Sequence, residues 1–103
     1  MPTPPLTEPQ LAESLTALPG WTVENGELTA TYRATRARIP AFYADVAAAE
    51  DQADHHARIT ILYGTIAFAL NTHDAGGAIT AKDTAMATRI AQLATAHEAS
   101  VAA

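Results

Sequence analysis

The sequence predicts an α+β domain with the element order αββαββα, a four-stranded antiparallel sheet with its helices packed on one face. Three observations predict it. Two apolar segments, one near each end, carry aliphatic residues at helical spacing behind a threonine able to cap a first turn. Asn25-Gly26, a strong two-residue hairpin signal, divides two short runs of strand character. A second pair of alternating runs, Arg58 to Tyr63 and Ile66 to Leu70, is divided by Gly64. Helix, hairpin, helix, hairpin and helix then give one antiparallel sheet with a helical layer.

Each element has its own justification. Residues Met1 to Pro5 are proline-rich and are expected to fray. Thr7-Glu8-Pro9-Gln10 reads as a capping box, because Thr7 can accept from the Gln10 amide and Gln10 can reach back. Leu11, Leu15 and Leu18 bury one face of this first helix, and Pro19-Gly20 ends it. Trp21 to Glu24 forms a strand with Trp21 and Val23 on one face, and Leu28, Ala30 and Tyr32 line the return strand. The second helix runs to about Ala53 with Phe42, Val46 and Ala49 inward. Its start is open between capping at Thr35 and a later beginning with Pro40 as first residue, since proline has no N–H to give inside a helix. Ile59 and Ile61 share one face of the third strand. Ile66, Phe68 and Leu70 share one face of the fourth. Ala75-Gly76-Gly77 is a loop. Thr80 caps the third helix, which turns Ala85, Met86, Ile90 and Leu93 inward.

The composition bounds the function. The chain of 103 residues is expected to be a single domain over 1–103, with 49% apolar residues. Aromatics are few and alanine abundant, so a core of small and aliphatic side chains is expected. A net charge of −5, with Arg33, Arg36 and Arg38 as the one short basic cluster, excludes a nucleic-acid footprint. The absence of cysteine excludes disulfides, thiolate metal sites and cysteine nucleophiles. With no leader-like start and no apolar run near ~18 residues, no membrane association and a cytoplasmic location are expected.

Three of the four histidines fall in one window. His55 and His56 leave the second helix, and His73 follows the fourth strand, with Asp51, Asp54, Asp74 and Asp83 around them. Imidazole titrates near neutrality, so such a group suits proton transfer on a small molecule. An isolated histidine pair at a helix–strand junction is more often two surface residues, and adjacent side chains there diverge. The joint pattern with the Thr72-His73-Asp74-Ala75-Gly76-Gly77 loop raises the catalytic reading. Three histidines and an aspartate could hold zinc, but consecutive histidines on a turn rarely chelate one ion, and no HExxH spacing occurs. No metal and no organic cofactor are expected. Ser14 and Ser100 lack a nucleophile motif. His97 is read as stabilising the C-terminal end of the last helix.

At these residues the chain resembles the pterin-4a-carbinolamine dehydratases (4a-hydroxytetrahydrobiopterin dehydratases). The resemblance spans nearly the whole chain: Leu18-Pro19-Gly20-Trp21, Asp51 with His55-His56, Tyr63, Thr72 to Gly77, Thr80 and Asp83. It departs at Ala57, where the family usually has proline, and at Gly77-Ala78-Ile79-Thr80, one residue longer than the usual Gly-Gly-Leu-Thr. Arg36 and Pro40 also stand where aromatics are common.

The resemblance implies the same αββαββα fold and the dehydration of 4a-hydroxytetrahydropterin to quinonoid dihydropterin, in pterin recycling after an aromatic amino acid hydroxylase. It implies His55, His56 and His73 as the acid–base and ring-binding set, with Asp83 and Asp54 orienting imidazoles and Asp51 a lesser candidate. Asp51, Asp54, Thr72 and Asp74 would meet the pterin, the Thr72–Asp74 loop at its amide edge. Two other readings remain: a non-catalytic interaction or assembly factor on the same fold, and a repurposed site acting on another heterocycle. A homodimer or homotetramer is expected, because a small domain with an open strand edge gains from covering it.

Overall fold

The computed structural model describes residues 3–102. The fraying expected at Met1 and Pro2 lies outside them. Pro5, the end of that expected loose segment, is already anchored: it bridges Thr80, and the Leu6 amide donates to the Ile79 carbonyl at 3.0 Å.

The chain runs α1 (Glu8–Thr16), β1 (Thr22–Glu24), β2 (Glu27–Arg33), a 3-10 turn (Arg36–Arg38), α2 (Ile39–Ala53), β3 (Arg58–Leu62), β4 (Thr65–Leu70), a second 3-10 turn (His73–Ala75), α3 (Ala81–Ala96) and β5 (Ser100–Val101). The expected α+β architecture is present, with one strand more than the four anticipated. The sheet order is β1-β2-β4-β3, all neighbours antiparallel, and β5 joins β2 through Tyr32–Val101 and Arg33–Ser100. β1 and β5 thus share one edge of β2 end to end. Gly20 makes this possible: its φ is +84°, and a Cβ there would lie 2.0 Å from Val101 Cγ1.

Local chemistry accounts for the elements. The capping box of Thr7 with Gln10 starts α1, and a second one of Thr80 with Asp83 starts α3. Asn25 and Gly26 both take positive φ, 52° and 77°, which closes the first hairpin tightly. Pro40 stands in the first turn of α2, so this helix begins at the later of the two starts the sequence left open.

The core lies between the sheet and the helices. Leu28, Ala30 and Tyr32 from β2 and Ile66, Phe68 and Leu70 from β4 face Phe42 and Val46 of α2 and Met86, Ile90 and Leu93 of α3, all buried. Four of the six aromatics sit at its centre, so the expected small-aliphatic core is built around rings. Tyr32 and Phe68 each meet the other three rings of the set Trp21, Tyr32, Phe42 and Phe68 at centroid distances of 6.0–6.3 Å. The Trp21 indole donates to the Tyr32 hydroxyl at 2.9 Å, and burial pushes that hydroxyl's pKa up. Truncating a ring here costs about 3–5 kcal/mol in such cores. Ala85 was expected inward and is exposed; Val23 and Ile61, placed on one face with Trp21 and Ile59, are exposed as well. β1 and β3 lie at the sheet margins, and Ala85 faces a cleft instead of the core.

Candidate active site

α2 ends at Asp54, whose left-handed φ of 49° turns the chain sharply, a conformation aspartate tolerates better than most residues. The His55 amide then donates to the Glu50 carbonyl at 3.1 Å, and the Ala57 amide to Glu50 Oε2 at 2.6 Å. Glu50 is buried, so these bonds fix the turn carrying both histidines.

The first turn of α3 meets this turn. Asp83 is fully buried, and Oδ2 accepts from the Thr80 amide at 2.9 Å and the Thr72 hydroxyl at 2.8 Å. Thr72 and Thr80 also join hydroxyl to hydroxyl at 2.7 Å. The other oxygen, Oδ1, lies 2.6 Å from His55 Nε2. A carboxylate can only accept, so neutral His55 carries its proton on Nε2 and leaves Nδ1 with a free lone pair. Within the 72–80 loop Thr72 bridges Ala78, and Gly76 and Gly77 take positive φ, 70° and 86°.

The remaining expected residues divide. His56 Nε2 pairs with Asp51 Oδ1 at 3.0 Å on the surface. That bond to Asp51 chiefly raises the His56 pKa, opposed by slight desolvation and helped by the charges of Glu50, Asp51 and Asp54. Asp54 itself is the exposed helix cap. His73 is exposed in its 3-10 turn, and Asp74 stands 3.8 Å from Lys82 Nζ. His97 caps α3 as expected and reaches further: its Nε2 lies 2.6 Å from Asp45 Oδ2 on α2, and its ring stacks on Phe42.

His55 opens onto a cleft of about 450 Å³ between the end of α2 and the first half of α3. Ala49, Gln52 and Ala53 form one wall, and Lys82, Ala85, Met86 and Arg89 the other. This size suits a small molecule. Of the expected histidines it takes in His55, while His56 and His73 are not among its lining residues. A second hollow, about 370 Å³, lies on the sheet face bearing Thr22, Thr29, Thr31 and Thr60 and contains none of the expected site residues. Among the described residues, no three His, Cys, Asp or Glu side chains converge to hold a metal ion. No helix there is long and apolar enough to cross a membrane. The sequence reading missed Glu50, the hydroxyl of Thr80, and the cleft cations Lys82 and Arg89. The i, i+3, i+4, i+7 spacing of Lys82, Ala85, Met86 and Arg89 was the available signal.

Residues 4–93 match the family model described as pterin 4 alpha carbinolamine dehydratase. A Streptomyces coelicolor protein provisionally named a pterin-4-alpha-carbinolamine dehydratase is 41% identical over 100 residues, covering 96% of this chain and 99% of its own. A Chloroflexus aurantiacus protein of the same provisional name is 42% identical over 93 residues, covering 87% and 97%. Among solved structures, a Brucella melitensis protein described as a transcriptional coactivator/pterin dehydratase superposes with a TM-score of 0.82 at 27% identity, covering 87% of this chain and 98% of that one.

Proposed function

The chain belongs to the pterin 4 alpha carbinolamine dehydratase family and is a dehydratase, a hydro-lyase; from that premise we propose that it converts 4a-hydroxytetrahydropterin to quinonoid dihydropterin by histidine acid–base catalysis, recycling a cytoplasmic pterin cofactor. The single observation that carries this reading is the His55–Asp83 pair at 2.6 Å, sealed behind but open to the cleft.

The reaction breaks the C4a–O bond and the N5–H bond. The oxygen leaves with the bonding pair and takes a proton, which makes water. The N5–H pair becomes the C4a=N5 bond, and the N5 proton passes to a base. His55 is the base, because Asp83 fixes the tautomer that leaves Nδ1 able to accept and then stabilises the imidazolium. His56, held towards its imidazolium by Asp51, supplies the proton to the leaving hydroxyl. His73 and Asp74 bind the ring edge, while Thr72, buried with its hydroxyl given to Asp83, positions that carboxylate instead of meeting the pterin. Asp51 and Asp54 set the field around His56. No metal or organic cofactor enters this scheme. A homodimer or homotetramer is part of the same proposal.

Ile61, Leu62 and Tyr63 favour a second reading, an interaction surface, because Leu62 is 64% and Tyr63 79% exposed on an edge hairpin. Stopped-flow dehydration of freshly generated 4a-hydroxytetrahydropterin separates the two. The enzyme reading expects acceleration well beyond equimolar free imidazole, lost in His55→Ala. Wild-type protein no faster than imidazole leaves the interaction reading in its place.

A further inference from the structure

The charge of the cleft runs against that of the chain. Acidic residues outnumber basic ones 11 to 6, yet the charged residues lining the cleft beside His55 are Lys82 and Arg89, with no carboxylate among them. Lys82 has Asp74 at 3.8 Å. Arg89 has no carboxylate partner among the described residues, and its helical neighbours at three and four positions are Met86, Gln92, Ala85 and Leu93. An exposed guanidinium in a concave, partly apolar site is a ready anion receptor, since it offers paired donors to a carboxylate or phosphate.

Its position sets the distance. Arg89 lies six residues beyond Asp83 on α3, and a rise of 1.5 Å per residue puts it about 9 Å further along the helix from the His55 contact. The wall between them is Ala85 and Met86, apolar and suited to the flat face of a ring. A bicyclic ring with its reacting C4a–N5 edge at His55 carries its 6-substituent beside that edge, bonded next to N5. A substituent lying along this wall runs towards Arg89, whose side chain leans back towards the start of the helix.

We propose that Arg89, with Lys82 at the opposite end of the same helical stripe, makes this cleft select pterins whose ring substituent carries an acidic group, a carboxylate or a phosphate ester, over neutral ones. This rests on the dehydratase reading for the substrate class. Arg89 is a specificity residue and takes no part in proton transfer.

Binding tests it apart from turnover. The probes are three fluorescent pterins: 6-carboxypterin, the phosphate ester of 6-hydroxymethylpterin, and neutral 6-hydroxymethylpterin. Wild-type protein should bind at least one acidic probe about tenfold more tightly than the neutral one, and which one identifies the acid. In Arg89→Ala that preference should collapse towards unity, and Arg89→Lys should restore part of it. Arg36→Ala, which removes an equal charge far from the cleft, should leave the preference intact. No preference in wild type, a preference that survives Arg89→Ala, or an equal loss in Arg36→Ala each overturns the proposal. Absent turnover with the acidic preference intact would instead fault the dehydratase reading and leave the anion site standing.

Discussion

The Ala57 amide donates to the Glu50 carboxylate at 2.6 Å, across the turn that carries His55 and His56. Proline, usual in the family at this place, has no N–H to give. Alanine here thus supplies the donor that a buried glutamate needs.

Ala57→Pro should accordingly lower stability by about 1–3 kcal/mol, the cost of stranding a buried acceptor. Urea unfolding reads it. Ala57→Ser, which keeps the amide, should behave as wild type. An unchanged midpoint in the proline variant would show that Glu50 finds another donor.

His55→Ala and Asp83→Asn should each slow dehydration by at least ~100-fold, the usual scale of a general acid–base contribution. The double variant should be scarcely slower than the worse single one, because the two act as a unit. Multiplying effects would mean that Asp83 works independently of His55. His56→Ala, which removes the proposed acid, should also lose ~100-fold, and His73→Ala, which removes a ring contact, should raise KM more than it lowers kcat. His97→Ala should keep the wild-type rate, since His97 binds Asp45 and Phe42 instead of the cleft. Chelators should not change the rate.

The His56–Asp51 pair predicts a pH dependence. The folded pKa of His56 lies above its ordinary value, with the hydrogen bond to Asp51 the main cause. Its contribution to stability is complete below the unfolded value of about 6.5 and is lost as pH rises through the folded midpoint. The pair is solvent-exposed, so the effect is small and best read by NMR titration of the ring. Asp51→Asn should bring the midpoint down. If it does not move, Glu50 and Asp54 are the cause.

Light scattering at micromolar concentration should report a dimer or tetramer. Charged substitutions at Leu62 and Tyr63 should shift the protein to monomer, because among the described residues these are the most exposed large apolar side chains. A wild-type monomer would count against assembly.

Much of this was legible in the chain, for local reasons. Asn25-Gly26 closes a turn by its own φ preferences, and Thr7 and Thr80 cap helices through residues three positions away. The same spacing that makes Asp83 a cap partner brings its second oxygen to His55, although only the fold supplies that contact. β5 was not legible, since two residues show no alternation and its pairing depends on Gly20 yielding space to Val101. Nor was the core's ring cluster, which gathers Trp21, Tyr32, Phe42 and Phe68 from four separate segments. His56 pairs with Asp51 five positions back, a spacing no regular helix brings together, and only the left-handed kink at Asp54 does so. Arg89 acquired meaning once α2 and α3 lay side by side.

The end-to-end sharing of β2 by β1 and β5 leaves the sheet asymmetric. One margin is broken into stubs of three and two residues, and the other is the unbroken five-residue β3. A ribbon that lengthens indefinitely needs two usable margins on every copy. This molecule has one, so copies joining by their margins meet β3 against β3 about a two-fold axis, and the joint sheet then has only stubs at both ends. Pairing of this kind stops at two copies, and any larger assembly has to use another face.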